Sequence, residues 1–319
     1  MRVRARRIIG AANNHNRSTR KDPTMLRTEA PSETHLDLDQ YPVDDLVGAF
    51  IDDQAQALQA VAAARERIAE AVVAAAPRIA AGGRLVYVGA GTSGRLGLLD
   101  SVELFPTFSW PKARSLALVA GGRRALFDSV EGAEDRREQG GTDLLAIEPT
   151  PNDVVILISA SGTTPYVIGA LEAARTAGAL AIVIANNPGS PLARGADIAI
   201  TLDTGSEIIS GSTRLKAGTA QKVALNTLSS AIMVRLNKVY GNLMVDLHPS
   251  NAKLFQRAVS MTMRATGADE ATARHALAAS RYQVKVAIVA ILNGSDAAAA
   301  EARLVAAHGS VRAAIDGAG

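Results

Sequence analysis

The 319-residue sequence contains no cysteine. Disulfides, thiolate metal sites and a cysteine nucleophile are therefore excluded. Aromatic residues are scarce, at 3% against 48% hydrophobic residues overall, so the core has to be built from Ala, Val, Leu and Ile. Such side chains suit helices packed on a parallel sheet buried on both faces. Five histidines are scattered along the chain with no HExxH-like spacing, which gives no signature of a metal centre. No apolar run approaches the ~18 residues of a membrane-spanning helix. The chain reads as a soluble protein of one or two domains.

The formal charge of +3 divides unevenly. Residues 1–24 carry seven basic side chains against Asp22 alone, a net +6, which leaves −3 for the remainder. A mildly acidic body does not support a nucleic-acid footprint over the fold. Residues 1–27 are expected to be a basic, disordered extension, or the product of a start set upstream of Met25, rather than a targeting segment.

Residues 53–81 carry the periodicity of one long helix, interrupted near Pro77 and closed by Gly82-Gly83. Strand-like apolar runs follow at 85–88, 116–120, 154–159, 181–185 and 198–202, with helical segments at 163–178 and 214–237 among them. This alternation predicts an α/β fold with a doubly wound parallel sheet. Beyond residue 252 the strand signal fades. Residues 253–319 read as a small C-terminal helical subdomain, broken at Gly267, Asn293-Gly294 and Gly309. Residues 28–252 are assigned to the α/β domain. Asn242 and Asp246 read as turn caps after the long helix, and His248 as a loop residue.

Ligands of open α/β sheets lie beyond the carboxyl ends of the strands. Two loops there are rich in small hydroxylated residues, and each opens a helix. The first holds Gly91, Thr92 and Ser93; the second holds Ser161, Gly162 and Thr164. Free backbone N–H groups and the positive end of a helix dipole converge at such a point and suit a phosphate. A third stretch, with Ser212, Thr213 and Lys216, also opens a helix and adds a cation. The same Ser and Thr residues also fit plain helix N-caps. The first loop matches GxGxxG, but the next strand ends in Ala120-Gly121-Gly122-Arg123-Arg124, without the acid that holds a ribose. NAD is disfavoured, while the arginines leave NADP open. Arg95 is expected to pair with an acid.

Two such loops on one parallel sheet resemble the sugar isomerase (SIS) domain, a three-layer α/β/α phosphosugar-binding fold. The longer motifs GAGTSGRLG (89–97), VEGAED (130–135), SGTTPYVI (161–168), NNPGS (186–190), LKAGTAQK (215–222) and YGNLMVD (240–246) together resemble the N-acetylmuramic acid 6-phosphate etherases. The similarity runs from about Thr28 to the C-terminus, whose helical stretch resembles that family's UBA-like tail. The chain departs from the family pattern at Leu104-Phe105-Pro106, where Cys-Pro-Pro is usual. It also departs at Phe108-Ser109-Trp110, at Leu247-His248-Pro249-Ser250-Asn251, and in the residue after Thr28-Glu29, which is not the usual Asn.

The resemblance implies a carbon–oxygen lyase that releases D-lactate from a small phosphosugar, a cytoplasmic homodimer, and no metal or cofactor. It implies a catalytic pair at Glu103 and Glu134, with Glu103 as acid toward lactate and Glu134 as base at C2. Glu103, ending the helix launched by the first loop among Val102, Leu104 and Phe105, is expected to be buried and so to favour its acid form. Without the resemblance, Glu103 reads as a solvated helix-end acid and Glu134 as a surface charge near a helix start. Three rivals stand beside this reading: a phosphosugar isomerase or deaminase on the same fold, a non-catalytic sugar-phosphate sensor resembling glucokinase regulatory protein, and an NADP oxidoreductase.

Overall fold

The computed structural model describes residues 25–317 except His248 and Ser250; the basic residues 1–24 and the loop reading of His248 lie outside the described residues. Two helices, α1 (Val43–Ala63) and α2 (Arg65–Ala80), precede β1 (Leu85–Gly89), α3 (Gly91–Phe108) and β2 (Ser115–Val119). The chain continues through α4 (Arg137–Leu145), β3 (Val154–Ser159), α5 (Pro165–Thr176) and β4 (Leu180–Ala185). Then come α6 (Pro191–Gly195), β5 (Ile198–Thr201) and the long α7 (Lys216–Arg235). Five helices close the chain: α8 (Ala252–Thr266), α9 (Glu270–Ala279), α10 (Val284–Asn293), α11 (Ala297–Ala306) and α12 (Val311–Asp316).

The five strands form one sheet in the order β2-β1-β3-β4-β5, with every pair parallel. The central strands are short β-branched runs, VVILIS in β3 and LAIVIA in β4, buried along their whole length. Successive side chains alternate between two cores. Leu85, Tyr87, Ile156 and Ile182 pack with Ile68, Leu104 and Leu228, while Val86, Val88, Leu157 and Val183 pack with Leu144, Tyr166 and Leu192. The sheet is thus covered on both faces, as the continuous apolar runs required. After β1 the chain runs to the edge strand β2 and returns to β3 on the other side of β1. The crevice at that reversal opens at the carboxyl ends of β1 and β3.

The expected helix over 53–81 is instead two helices divided at Ala64, and it begins ten residues earlier. Pro77 lies inside α2 and Pro106 inside α3. A proline interrupts a helix by removing the N–H that would reach residue i−4. Here those positions are Val73 and Val102, both on exposed helix faces, so the freed carbonyls are not shut away from water.

The C-terminal helices enclose a third apolar core, including Leu277, Ile288 and Leu304, that also takes in Val245 and Leu247. Gly267 and Gly294 end their helices in the left-handed conformation, where the sequence signalled breaks. One break carried no glycine: Arg281 and Tyr282 have φ of 50° and 59°. Asp246 does not cap a turn. Its carboxylate accepts Lys238 Nζ at 2.6 Å and Lys285 Nζ at 3.0 Å, which ties the end of α7 to α10.

Candidate active site

The first turn of α3 rests directly on β1. A Cβ at Gly94 would stand 2.8 Å from the Gly89 carbonyl oxygen, so only glycine lets the helix start this close to the strand. Gly91 adopts φ +53°, and the first backbone bond of the helix is made by Gly94 N–H to Ala90 O at 3.1 Å. The N–H groups of Gly91, Thr92 and Ser93 precede that bond and point out of the helix end.

Ser93 is buried, and its hydroxyl donates to Gln221 Oε1 at 2.9 Å. Gln221 Nε2 in turn donates to Asn186 Oδ1 at 2.9 Å, and Asn186 Nδ2 donates to Leu202 O at 3.1 Å. A carbonyl can only accept, so Leu202 fixes the direction of every bond in the relay and turns the Ser93 proton inward. An anion at this loop would meet backbone N–H groups and Thr92 rather than the Ser93 proton.

In the second loop Gly162 has φ +71°, and its N–H donates to Ser159 Oγ at 3.0 Å. Ser159 Oγ also lies 2.8 Å from Thr164 Oγ1, and Thr163 Oγ1 donates to Ser161 Oγ at 3.0 Å. Four hydroxyls therefore cluster ahead of α5. Asn187 Nδ2 holds this loop from beneath through Ala160 O at 2.9 Å. The same amide donates to Thr28 Oγ1 at 2.9 Å and, through Oδ1, accepts the Thr28 N–H at 3.3 Å.

The third loop meets the first at Gly218, where a Cβ would lie 3.4 Å from Thr213 O and 3.5 Å from Thr92 Cγ2. Glu207, fully buried, accepts the N–H groups of Lys216 and Ala217 at 3.0 and 2.9 Å and so caps α7. Burial pushes the Glu207 carboxyl above the usual range, although those two N–H groups and the Lys216 charge pull the other way. Lys216 does not reach the hydroxyl cluster. Its ammonium is buried against α1, 2.7 Å from Asp53 Oδ1 and 2.8 Å from Gln56 Oε1. Arg95 pairs with no acid among the described residues; it donates to the backbone carbonyls of Ala125 and Asp128 at 3.0 and 2.9 Å.

Glu134 is exposed and lines a cavity of about 270 Å³ together with Ala90, Gly91, Arg95 and Ala120. Its carbonyl accepts the Tyr166 N–H at 2.9 Å, which pins it two residues beyond Thr164. Glu134 thus lines a cavity beside the first loop, and its backbone is tied to the start of α5, which the second loop opens. Glu103 is elsewhere. It neither ends α3, which runs on to Phe108, nor is buried; it is exposed between the exposed side chains of Leu99, Val102 and Phe105. Twelve residues separate it from Gly91, about 18 Å along the helix. Asn186, Asn187 and Gln221 were legible only as members of motifs, and Glu207 carried no signal at all.

The family models that match the chain agree with this architecture. Residues 67–175 match the N-terminal SIS domain of glucokinase regulatory protein, residues 144–231 the SIS domain, and residues 241–293 the C-terminal lid domain of glucokinase regulatory protein. Among solved structures, a phosphoheptose isomerase from Francisella tularensis is 18% identical with a TM-score of 0.48, covering 61% of this chain and 100% of that one. The sheet order, the glycine-backed loops and these domain matches define an SIS-domain protein. Full-length relatives narrow the class. The chain is 56% identical over 265 residues to the N-acetylmuramic acid 6-phosphate etherase of Deinococcus radiodurans, covering 83% of this chain and 87% of that one. It is 46% identical over 304 residues to that of Streptomyces avermitilis, covering 95% and 98%. The chain belongs to the N-acetylmuramic acid 6-phosphate etherase family.

Proposed function

We propose that this protein cleaves the lactyl ether of N-acetylmuramic acid 6-phosphate, giving N-acetylglucosamine 6-phosphate and D-lactate. The observation that carries the reading is Glu134 lining one cavity with Gly91 of the first hydroxyl-rich loop, while its backbone carbonyl holds the first turn of α5, the helix that the second loop opens. The phosphate sits against the N–H groups of the first loop with Thr92, and against Ser161, Gly162 and Thr164; Ser212 and Thr213 border it. Opening of the sugar ring exposes an aldehyde that acidifies the C2 proton. Glu134 takes this proton, the C3–O bond breaks, and an acid delivers a proton to the departing lactate oxygen. Water then adds across the C2–C3 double bond with the two roles reversed.

Glu103 supplies the acid in this reading, and its distance from the loops of its own chain supports a site shared by two copies. The exposed apolar side chains of Leu99, Val102 and Phe105 around it favour a homodimer in which a second copy covers this face of α3. Such a contact would supply the burial that the acid role calls for. Residues 28–252 then form the phosphosugar-binding unit and 253–319 a helical unit beside it. No helix among the described residues is long and apolar enough to cross a membrane. A cytoplasmic location suits a phosphorylated substrate, which does not cross a membrane unaided.

The test follows lactate by NMR after incubation with N-acetylmuramic acid 6-phosphate in deuterated water. Lactate release with deuterium at C2 of the product is the expected result. Glu134→Gln and Glu103→Gln should each lower the rate by about 10²–10⁴-fold. Saturable binding with the substrate left intact would refute the reading.

A further inference from the structure

Residues 27–32 lie as a strap across the edge of the candidate site and are anchored at several points. Arg27 pairs with Asp203, Thr28 is fully buried on Asn187, and the Ser32 N–H donates to Ser210 Oγ at 3.0 Å. Thr28 thereby sits one amide away from Ala160 of the second loop. The next residue, Glu29, reaches the third loop: its Oε2 stands 3.4 Å from where a Cβ on Gly211 would be, beside Ser212 and Thr213. Glu29 is exposed; its N–H donates to Leu26 O at 3.0 Å, and its carboxylate has no hydrogen-bond or ion-pair partner among the described residues. A carboxylate beside the third loop, on a strap anchored to the second, is an acceptor without a donor among the described residues.

Resting on the phosphosugar reading above, we propose that Glu29 contacts the sugar itself, accepting hydrogen bonds from its hydroxyl or amide N–H groups. Its charge sets the part of the ligand it faces. A carboxylate repels a phosphate dianion, while charge-assisted bonds from O–H and N–H donors are about twice as strong as neutral ones. The loops hold the phosphate end, and Glu29 reads the uncharged end. Gly211, with φ +77° and no side chain, leaves the carboxylate room to face the ligand. A contact of this kind forms in both ground and transition states, so it acts on KM rather than kcat.

The experiment compares the wild-type chain with Glu29→Ala and Glu29→Gln in three readouts. With N-acetylmuramic acid 6-phosphate as substrate, Glu29→Ala should raise KM about 10- to 100-fold with kcat within about threefold, and Glu29→Gln, which keeps an acceptor, should lose less. In calorimetric titration the affinity for N-acetylglucosamine 6-phosphate should fall by a similar factor, while that for inorganic phosphate holds or rises. Thermal stability should be unchanged, since the carboxylate bonds to nothing among the described residues. An unchanged KM and product affinity would overturn the proposal. So would equal losses for sugar phosphate and inorganic phosphate, or a lowered melting temperature, each of which would make Glu29 a support for the loops. If the wild type binds sugar phosphate but releases no lactate, the etherase reading fails, and the titration still decides the role of Glu29.

Discussion

Lys216 is the residue for which motif and geometry point in different directions, and replacing its partner decides between them. Its ammonium lies 2.7 Å from Asp53, with side-chain exposures of 2% and 9%. At that separation the gross attraction is about 6 kcal/mol with an effective dielectric of about 20. Asp53→Ala would leave the ammonium buried with Gln56 as its one remaining acceptor, a change that costs about 3–5 kcal/mol. With roughly 2 cal/mol/K of unfolding entropy per residue, a chain of this size should lose about 5–8 °C in melting temperature. The double variant Asp53→Leu/Lys216→Met removes both charges and should recover to within about 1 kcal/mol of wild type, as apolar replacement of buried pairs does elsewhere. A double-mutant cycle by urea unfolding, with titration of N-acetylglucosamine 6-phosphate in parallel, reads both quantities. The double variant should bind within about threefold of wild type. If it loses binding while keeping its stability, the ammonium serves the ligand and the structural assignment is refuted; a cost below about 1 kcal/mol for Asp53→Ala would refute the energetics.

Asp153 joins the starts of β1 and β3, accepting Arg84 through its backbone N–H at 2.8 Å and its side chain at 2.7 Å, and Thr150 N–H at 2.8 Å. Burial alone would raise this carboxyl, but the Arg84 side chain and those N–H groups outweigh it and hold it below the usual range. Its contribution is therefore present above about pH 4 and lost as pH falls through the lowered value, so Asp153→Asn should flatten the acid limb of a stability–pH curve. Gly94→Ala should destabilise by about 1–3 kcal/mol in urea unfolding, because the new Cβ meets backbone that cannot move aside. Ser93→Ala should cost about 1–3 kcal/mol by stranding Gln221 Oε1, yet change phosphate affinity little; a loss of affinity without a loss of stability would show the hydroxyl turned toward the ligand.

The layered sheet was legible because its strands are buried on both faces and so read as unbroken Val/Ile/Leu runs; each expected run overlaps an observed strand to within a residue at either end. The loops were legible as glycine- and hydroxyl-rich stretches between a strand and a helix, although the same residues also fit plain N-caps. Helix breaks were legible where glycine made them and illegible at Ala64, where no residue type marks the kink, and at Arg281-Tyr282. Pro77 misled because the effect of a proline depends on whether the carbonyl one turn back faces water. Polar residues whose partners are distant in sequence escaped entirely: Glu207 caps a helix nine residues away, and Lys216 bonds across 163 residues. Burial of Glu103 was inferred from its neighbours, but on a helix the residues at i−1 and i+1 point away from it, and Leu104 alone of the three reaches the core.

The Ser93–Gln221–Asn186 relay constrains how this family of sequences can drift. Its three members are 128 and 35 positions apart, yet each takes its polarity from the one below, down to a main-chain oxygen that no substitution can change. Exchanging either amide for its acid would set acceptor against acceptor at the next link. Changes at 93, 186 and 221 should therefore be tolerated as compensated sets rather than independently.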